Sequence, residues 1–156
     1  GTPLFIQILI IYFGLPSIIG YDLSPFLSGV LALGINSSAY LSETIRGGIN
    51  SIAKGQWEAA FLLGYSKKRN FISIILPQAM STVFPSTANE FICLIKESSI
   101  LMVLGVPELT KVSRDIVTRE LVPMQIYTLS AIFYLFMTSF FSFMFSKFEK
   151  RLSYEH

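Results

Sequence analysis

The sequence predicts an all-α protein, a polytopic bundle of membrane helices, and three features point to it. Of 156 residues, 52% are hydrophobic and only 14% are charged, whereas about a quarter of a typical soluble domain is charged. The charges are bunched rather than spread, so lipid is the expected solvent. Four apolar segments, Thr2 to Ile19, Pro25 to Ile45, Ile74 to Leu104 and Gln125 to Ser146, approach or exceed the roughly 20 residues with which a helix crosses a bilayer. The single cysteine, Cys93, lies in an apolar stretch and the single histidine, His156, is the last residue. One chain therefore cannot build a disulfide framework or a His/Cys metal site, and no metal is expected.

The first segment begins almost at Gly1, with no basic region ahead of the run Leu4 to Leu15. It is expected to be the remainder of a membrane helix in an N-terminally truncated chain. Ser24-Pro25 starts the second, a capping hydroxyl followed by a proline at the first helical position. The third holds Pro77, Pro85, Asn89, Glu90, Lys96 and Glu97, which predicts a kinked or discontinuous helix buried among neighbours. The fourth is aromatic nearly all round and uncharged until Lys147, a scaffold facing lipid.

Orientation follows from lysine and arginine, which short cytoplasmic loops retain. Between Arg46 and Asn70 there are five of them (Arg46, Lys54, Lys67, Lys68, Arg69) against one acid, Glu58. That loop and the C-terminal tail with Lys147, Lys150 and Arg151 are expected inside. Tyr21 to Ser24 and Gly105 to Met124, where bases and acids offset, are expected outside. Within the inner loop, Lys54 to Gly64 predicts a short amphipathic helix stopped by glycine, whose tolerance of positive φ permits a sharp turn. A second short helix is expected over Tyr65 to Leu76. Two short helices at an angle, with small Ala59 and Ala60 letting another backbone approach, suit a groove on another protein. The plain alternative is a basic loop lying on anionic headgroups.

Glu58-Ala59-Ala60, three residues, Gly64, nine residues, then Ile74-Ile75-Leu76-Pro77 resembles the E-A-A-x-x-x-G-x(9)-I-x-L-P loop of ATP-binding-cassette (ABC) importer permeases. Tyr12-Phe13-Gly14-Leu15-Pro16, Tyr40 through Ile49, Gly55-Gln56-Trp57 and Asn89-Glu90-Phe91-Ile92 are similar to the polar-amino-acid branch, with its histidine, glutamine and arginine permeases. The resemblance implies a type I importer permease fold and a single transmembrane permease domain over 1–156, containing the coupling loop 46–77. A subunit of that family has five spanning helices, so this chain would lack the first. It further implies a multi-pass subunit of the bacterial cytoplasmic (inner) membrane, working with a second permease subunit, a cytosolic ATPase dimer and a periplasmic or extracellular amino-acid-binding protein. In that scheme Glu58 bonds a basic group of the ATPase and Gly64 supplies the turn. Ala59, Ala60, Ile74, Leu76 and Pro77 complete the coupling set. The sequence has no G-x-x-x-x-G-K-[ST] phosphate loop, so ATP and magnesium are expected in the partner and no cofactor in this chain. Neither catalytic residues nor a nucleic-acid partner are expected. The implied function is ATP-driven import of a polar amino acid, glutamine or a basic one, by alternating access. The competing function is ion-coupled secondary transport without an ATPase.

An ionisable side chain inside a bilayer is expensive and so marks a candidate site. At about 1.5 Å per residue from a cytosolic-edge Pro77, Glu90 lies roughly 20 Å into a core about 30 Å thick. Ser86, Glu90, Cys93 and Glu97 share one helical stripe, with Asn89 and Lys96 on its flank. Ser86, Asn89, Glu90, Lys96 and Glu97 are the candidate substrate-binding residues, able to meet an ammonium and a carboxylate. Lys96-Glu97-Ser98-Ser99 departs from the Lys-Asp-Thr-Ser common in the family, and the extra methylene moves the carboxylate. Asn36, Tyr40 and Glu43 form a second polar line. Against these readings, Lys96 and Glu97 would neutralise each other, and Glu43 would pair with Arg46.

Overall fold

In the computed structural model, which describes residues 1–154 and side chains through Lys150, the described chain is helical with no strand. Six continuous helices follow one another: α1 (Leu4–Ile19), α2 (Pro25–Asn50), α3 (Lys54–Leu62), α4 (Lys67–Leu104), α5 (Leu109–Glu120) and α6 (Pro123–Tyr154). Only α4 and α6 are long and apolar enough to cross a membrane by length and composition alone. α2 is long enough, but Asn36, Ser37, Ser38, Ser42 and Glu43 dilute its apolar character. His156 and the end of the tail fall outside the described residues.

Prolines shape α1 and α4 in the same way. The amide of Leu15 bonds the carbonyl of Ile10, and that of Leu76 bonds the carbonyl of Phe71, each five residues back rather than four. The next residue is proline in both cases, Pro16 and Pro77. A proline ring collides with the carbonyl four residues earlier and offers it no N–H. Widening the preceding turn by one residue absorbs the conflict without ending the helix. The second short helix expected over Tyr65 to Leu76 is therefore not separate: it is the start of α4, capped by Ser66, whose hydroxyl accepts from the Arg69 amide. The third segment is likewise one continuous helix, α-helical through Pro85 to Glu97 and tightened to 3-10 turns from Ser98 to Leu104.

The chain forms two compact units. One comprises Gly1–Ser38 and Phe91–Phe141. Its core is Ile8, Ala32, Leu101 and Val106, flanked by Leu4, Ile11, Leu33, Ile100 and Leu104. Lipid tails are as apolar as these side chains, so close fit rather than water exclusion holds such helices together. Gly29 shows that fit: a Cβ there would lie 2.7 Å from a Leu101 methyl. Gln7 Nε2 adds a hydrogen bond from α1 to Asn36 Oδ1 of α2, 3.2 Å.

The same unit contains α5, a helix where only a connecting loop was expected. Its start is fixed by Glu108, whose two carboxylate oxygens accept from the amides of Thr110 at 2.7 Å and Lys111 at 2.6 Å. Its inner face is held to α6 by polar contacts, Ser113 Oγ to Ser130 Oγ at 2.6 Å and the Tyr134 hydroxyl donating to Glu108 Oε2 at 3.0 Å. Thus α6 is not uniformly scaffold: Phe133, Phe136 and Phe140 are exposed, while Tyr134 is turned into this cluster and Phe141 packs edge-on against Phe91.

The other unit comprises Ala39–Glu90 and the chain from Ser142 onward. Gly48 of α2 meets α4 so closely that a Cβ would lie 2.3 Å from Val83 Cγ2. Ile75, Ala79 and Val83 are buried along α4, and Phe84 meets Phe145 edge-on at 6.3 Å. α3 and the turn that follows pack on the first turns of α4.

Candidate functional site

Within the loop expected over 46–77, Arg46 to Asn50 continue α2, and the rest is a braced hairpin of α3 and the start of α4. α3 ends because Gly64 takes φ +80°, a conformation that costs a side-chain-bearing residue roughly 1–2 kcal/mol. The reversal is locked by two bonds, Gly64 N–H to the Phe61 carbonyl at 2.9 Å and Tyr65 N–H to the Ala60 carbonyl at 3.1 Å, the paired closure of a glycine C-cap. On the far side, Asn70 Nδ2 donates to the Trp57 carbonyl at 3.1 Å. The rings of Trp57 and Phe71 lie 6.4 Å apart, and the Arg69 guanidinium sits 4.8 Å above the Tyr65 ring.

This geometry divides the predicted coupling residues. Glu58, Ala59 and Gly64 are exposed, whereas Ala60 is buried in the hairpin itself, so its small size serves α3 against α4. Ile74 and Pro77 are half-buried in the first turns of α4, with Leu76 exposed. Nor is α3 amphipathic as expected. Its C-terminal end presents Phe61, Leu62 and Leu63, exposed by 69%, 85% and 76%, while the inward residues are Trp57 and Ala60. Three consecutive apolar side chains at the tip of the braced hairpin form an apolar knob, with exposed Glu58, Lys67 and Lys68 near it in sequence.

Along α4 the α-helical turn continues from Leu76 to Glu97, so the spacing of the polar stripe holds. Ser86 and Asn89 are exposed and Glu90 is half-buried. Further on, Lys96 is exposed and Glu97 half-buried, with Glu97 Oε2 enclosed and unbonded. Lys96 and Glu97 form no ion pair with each other among the described residues. The second polar line is dispersed: Asn36 is engaged by Gln7, Tyr40 is exposed, and Glu43 pairs with Arg46 at 3.4 Å in an exposed contact.

A sequence profile described as the binding-protein-dependent transport system inner membrane component matches residues 1–154. The chain belongs to that family. Among relatives of this permease, the arginine transport system permease protein ArtQ of Bacillus subtilis is 46% identical over 111 residues, covering 71% of this chain and 51% of the relative. The glutamine transport system permease protein GlnP of Escherichia coli K12 is 37% identical over 153 residues, covering 97% of this chain and 70% of the relative. The chain thus spans about half the length of the curated relatives it matches first. A crystal structure of an amino acid ABC transporter with histidines superposes with a TM-score of 0.89 at 41% identity, over 97% of this chain and 70% of that one. The helices described above therefore have the type I ABC importer permease fold.

Two features of the permease escaped sequence reasoning. Asn70 is the bond that fixes the hairpin, and its one signal was a lone amide between the basic run Lys67 to Arg69 and the apolar run that follows. The Glu108–Thr110–Tyr134 cluster joins residues 26 apart in sequence or fewer. Glu108 could have been recognised as a helix cap, but Tyr134 sits among phenylalanines with nothing to mark it.

Proposed function

We propose that the chain is the membrane-spanning part of an ATP-driven importer that passes a polar amino acid, glutamine or a basic one, across a bacterial cytoplasmic membrane by alternating access. The observation that carries this reading is the hairpin at Gly64: a rigid, basic-flanked protrusion with an exposed apolar tip, in a chain of the binding-protein-dependent transport family. Three consecutive apolar side chains left exposed on a hairpin are costly to hold in water and suit a groove on a partner. Glu58, Ala59 and Gly64 form its accessible side, and Ala60, Ile74, Leu76 and Pro77 its base. The basic loop and the C-terminal tail lie in the cytosol. There the hairpin engages a dimeric ATPase that holds ATP and magnesium, while a second permease subunit and an external binding protein complete the assembly.

The proposed path for substrate runs along α4, with Ser86, Asn89, Glu90, Lys96 and Glu97 as its polar contacts and Glu90 the principal one. The names of ArtQ and GlnP support a basic or amide side chain. The test uses the full-length subunit with its ATPase and binding protein in proteoliposomes. Glu58→Lys or Gly64→Asp should abolish ATPase co-purification and uptake while membrane insertion persists, and Glu90→Gln should lower uptake without disturbing assembly. Uptake driven by an ion gradient with no ATPase present would overturn the proposal.

A further inference from the structure

Where α1 ends, the structure has an open cleft of about 610 Å³ lined by Tyr12, Phe13, Pro16, Ser17 and the turn Gly20 to Leu23. Three aromatic rings border it, with Tyr12 and Phe13 locked edge to face at 4.7 Å. Aromatic faces attract cations when these come within about 6 Å. The C-terminal turn of α1, through Pro16, Ser17 and Gly20, forms part of the lining, and a helix C-terminus is the negative end of its dipole. The third contribution is Asp22. Its carboxylate is exposed and has no ion-pair partner among the described residues. A carboxylate, three rings and a helix C-terminus around one opening are complementary to a positive charge, and among the described residues no cation pairs with Asp22.

The surroundings identify which cation. Phe13, Ile18, Ile19 and Phe26 are exposed close in sequence to the residues that line the cleft, an apolar surface on the end of α1 and the start of α2. Acyl chains can lie along those side chains. The Ser17 hydroxyl and the phenols of Tyr12 and Tyr21, which line the same cleft, are donors for a phosphate. We infer that the cleft formed by Tyr12, Phe13, Ser17, Tyr21 and Asp22 binds the primary ammonium headgroup of a phosphatidylethanolamine-type lipid. The ammonium takes the place between Asp22 and the rings, and the phosphate lies toward Ser17.

The experiment is native mass spectrometry of the full-length permease released from micelles containing equal phosphatidylethanolamine and phosphatidylglycerol. The wild-type protein should retain phosphatidylethanolamine in preference. Asp22→Asn and Tyr21→Ala should each reduce that retention about fivefold or more, Asp22→Glu should restore it, and phosphatidylglycerol retention should not change. A parallel arm in lipid-free detergent measures binding of ethanolamine and L-arginine. If those amines bind in an Asp22-dependent way while phosphatidylethanolamine is not retained, the lipid assignment is overturned in favour of a soluble amine. If Asp22→Asn and Tyr21→Ala leave both lipid and amine binding unchanged, the site itself is refuted.

Discussion

The side-chain amide of Asn70 reaches across the hairpin to the main-chain carbonyl of Trp57 at 3.1 Å, a bond between the first turn of α4 and the middle of α3. Asn70 is almost fully buried and its Oδ1 is unbonded, so its amide group is held for one contact only. Asn70→Ala removes that contact at a net cost of about 1 kcal/mol. Hydrogen exchange of the α3 amides in the full-length permease should therefore speed up about fivefold, with exchange in α6 unchanged. Unaltered protection of α3 would show that ring packing alone holds the hairpin.

Adjacent glycines in α2 should respond in opposite ways. At Gly48 an added Cβ would lie 2.3 Å from a methyl of Val83 and 3.4 Å from the Ala79 carbonyl. Valine is stiff about χ1 and cannot turn aside, so Gly48→Ala forces the helices apart at a cost of about 1–3 kcal/mol. Gly47 has nothing within 4 Å of its would-be Cβ, and Gly47→Ala gains up to about 1 kcal/mol of helix propensity. Gly29→Ala falls between them, because the obstructing atoms belong to Leu101, whose side chain can rotate. Thermal unfolding of the detergent-solubilised permease should rank Gly48→Ala lowest, Gly29→Ala next and Gly47→Ala at or above wild type.

Glu108 serves α5 and α6 together, capping the first with two carboxylate bonds and accepting the Tyr134 hydroxyl with one of the same oxygens. Loss of such a cap costs about 1 kcal/mol, and up to about 2 in the strongest cases. Glu108→Ala should thus raise hydrogen exchange at Thr110 and Lys111 about fivefold or more. Tyr134→Phe leaves both cap bonds intact and should raise exchange at those two amides less.

Much of this was legible in the residues. Ser24 does cap α2, its hydroxyl accepting from the Leu27 amide at 3.2 Å, and Gly64 does turn the chain, because both signals act through atoms adjacent in sequence. Pro77 did not end the second short helix, for a physical reason: one widened turn over Phe71–Ile75 absorbs the proline and keeps α4 continuous. Whether a chain can make that adjustment depends on what packs around it. α5 was hidden by its charges, since Lys111 and Asp115, read as balancing charges in a loop, are an ion pair four residues apart on a helix. The candidate contacts on α4 kept their spacing, but the polar line of α2 did not survive as a unit. Glu43 pairs with Arg46 three residues on, as their spacing implied, whereas Asn36 is bonded to Gln7 of α1, a partner on another helix that periodicity within α2 cannot reveal.

The most direct test of the hairpin's role places a probe on its apolar tip. In the full-length permease, with Cys93 and any other native cysteine replaced by serine, Leu62→Cys carries the most exposed position of the knob. A short thiol-to-amine cross-linker applied to the assembled transporter should join this cysteine to the ATPase, and a cysteine at Phe136, on the exposed side of α6, should give no such product. Cross-linking of Leu62→Cys only to lipid or to other permease chains, in a complex that still transports, would contradict the docking of this hairpin on the ATPase.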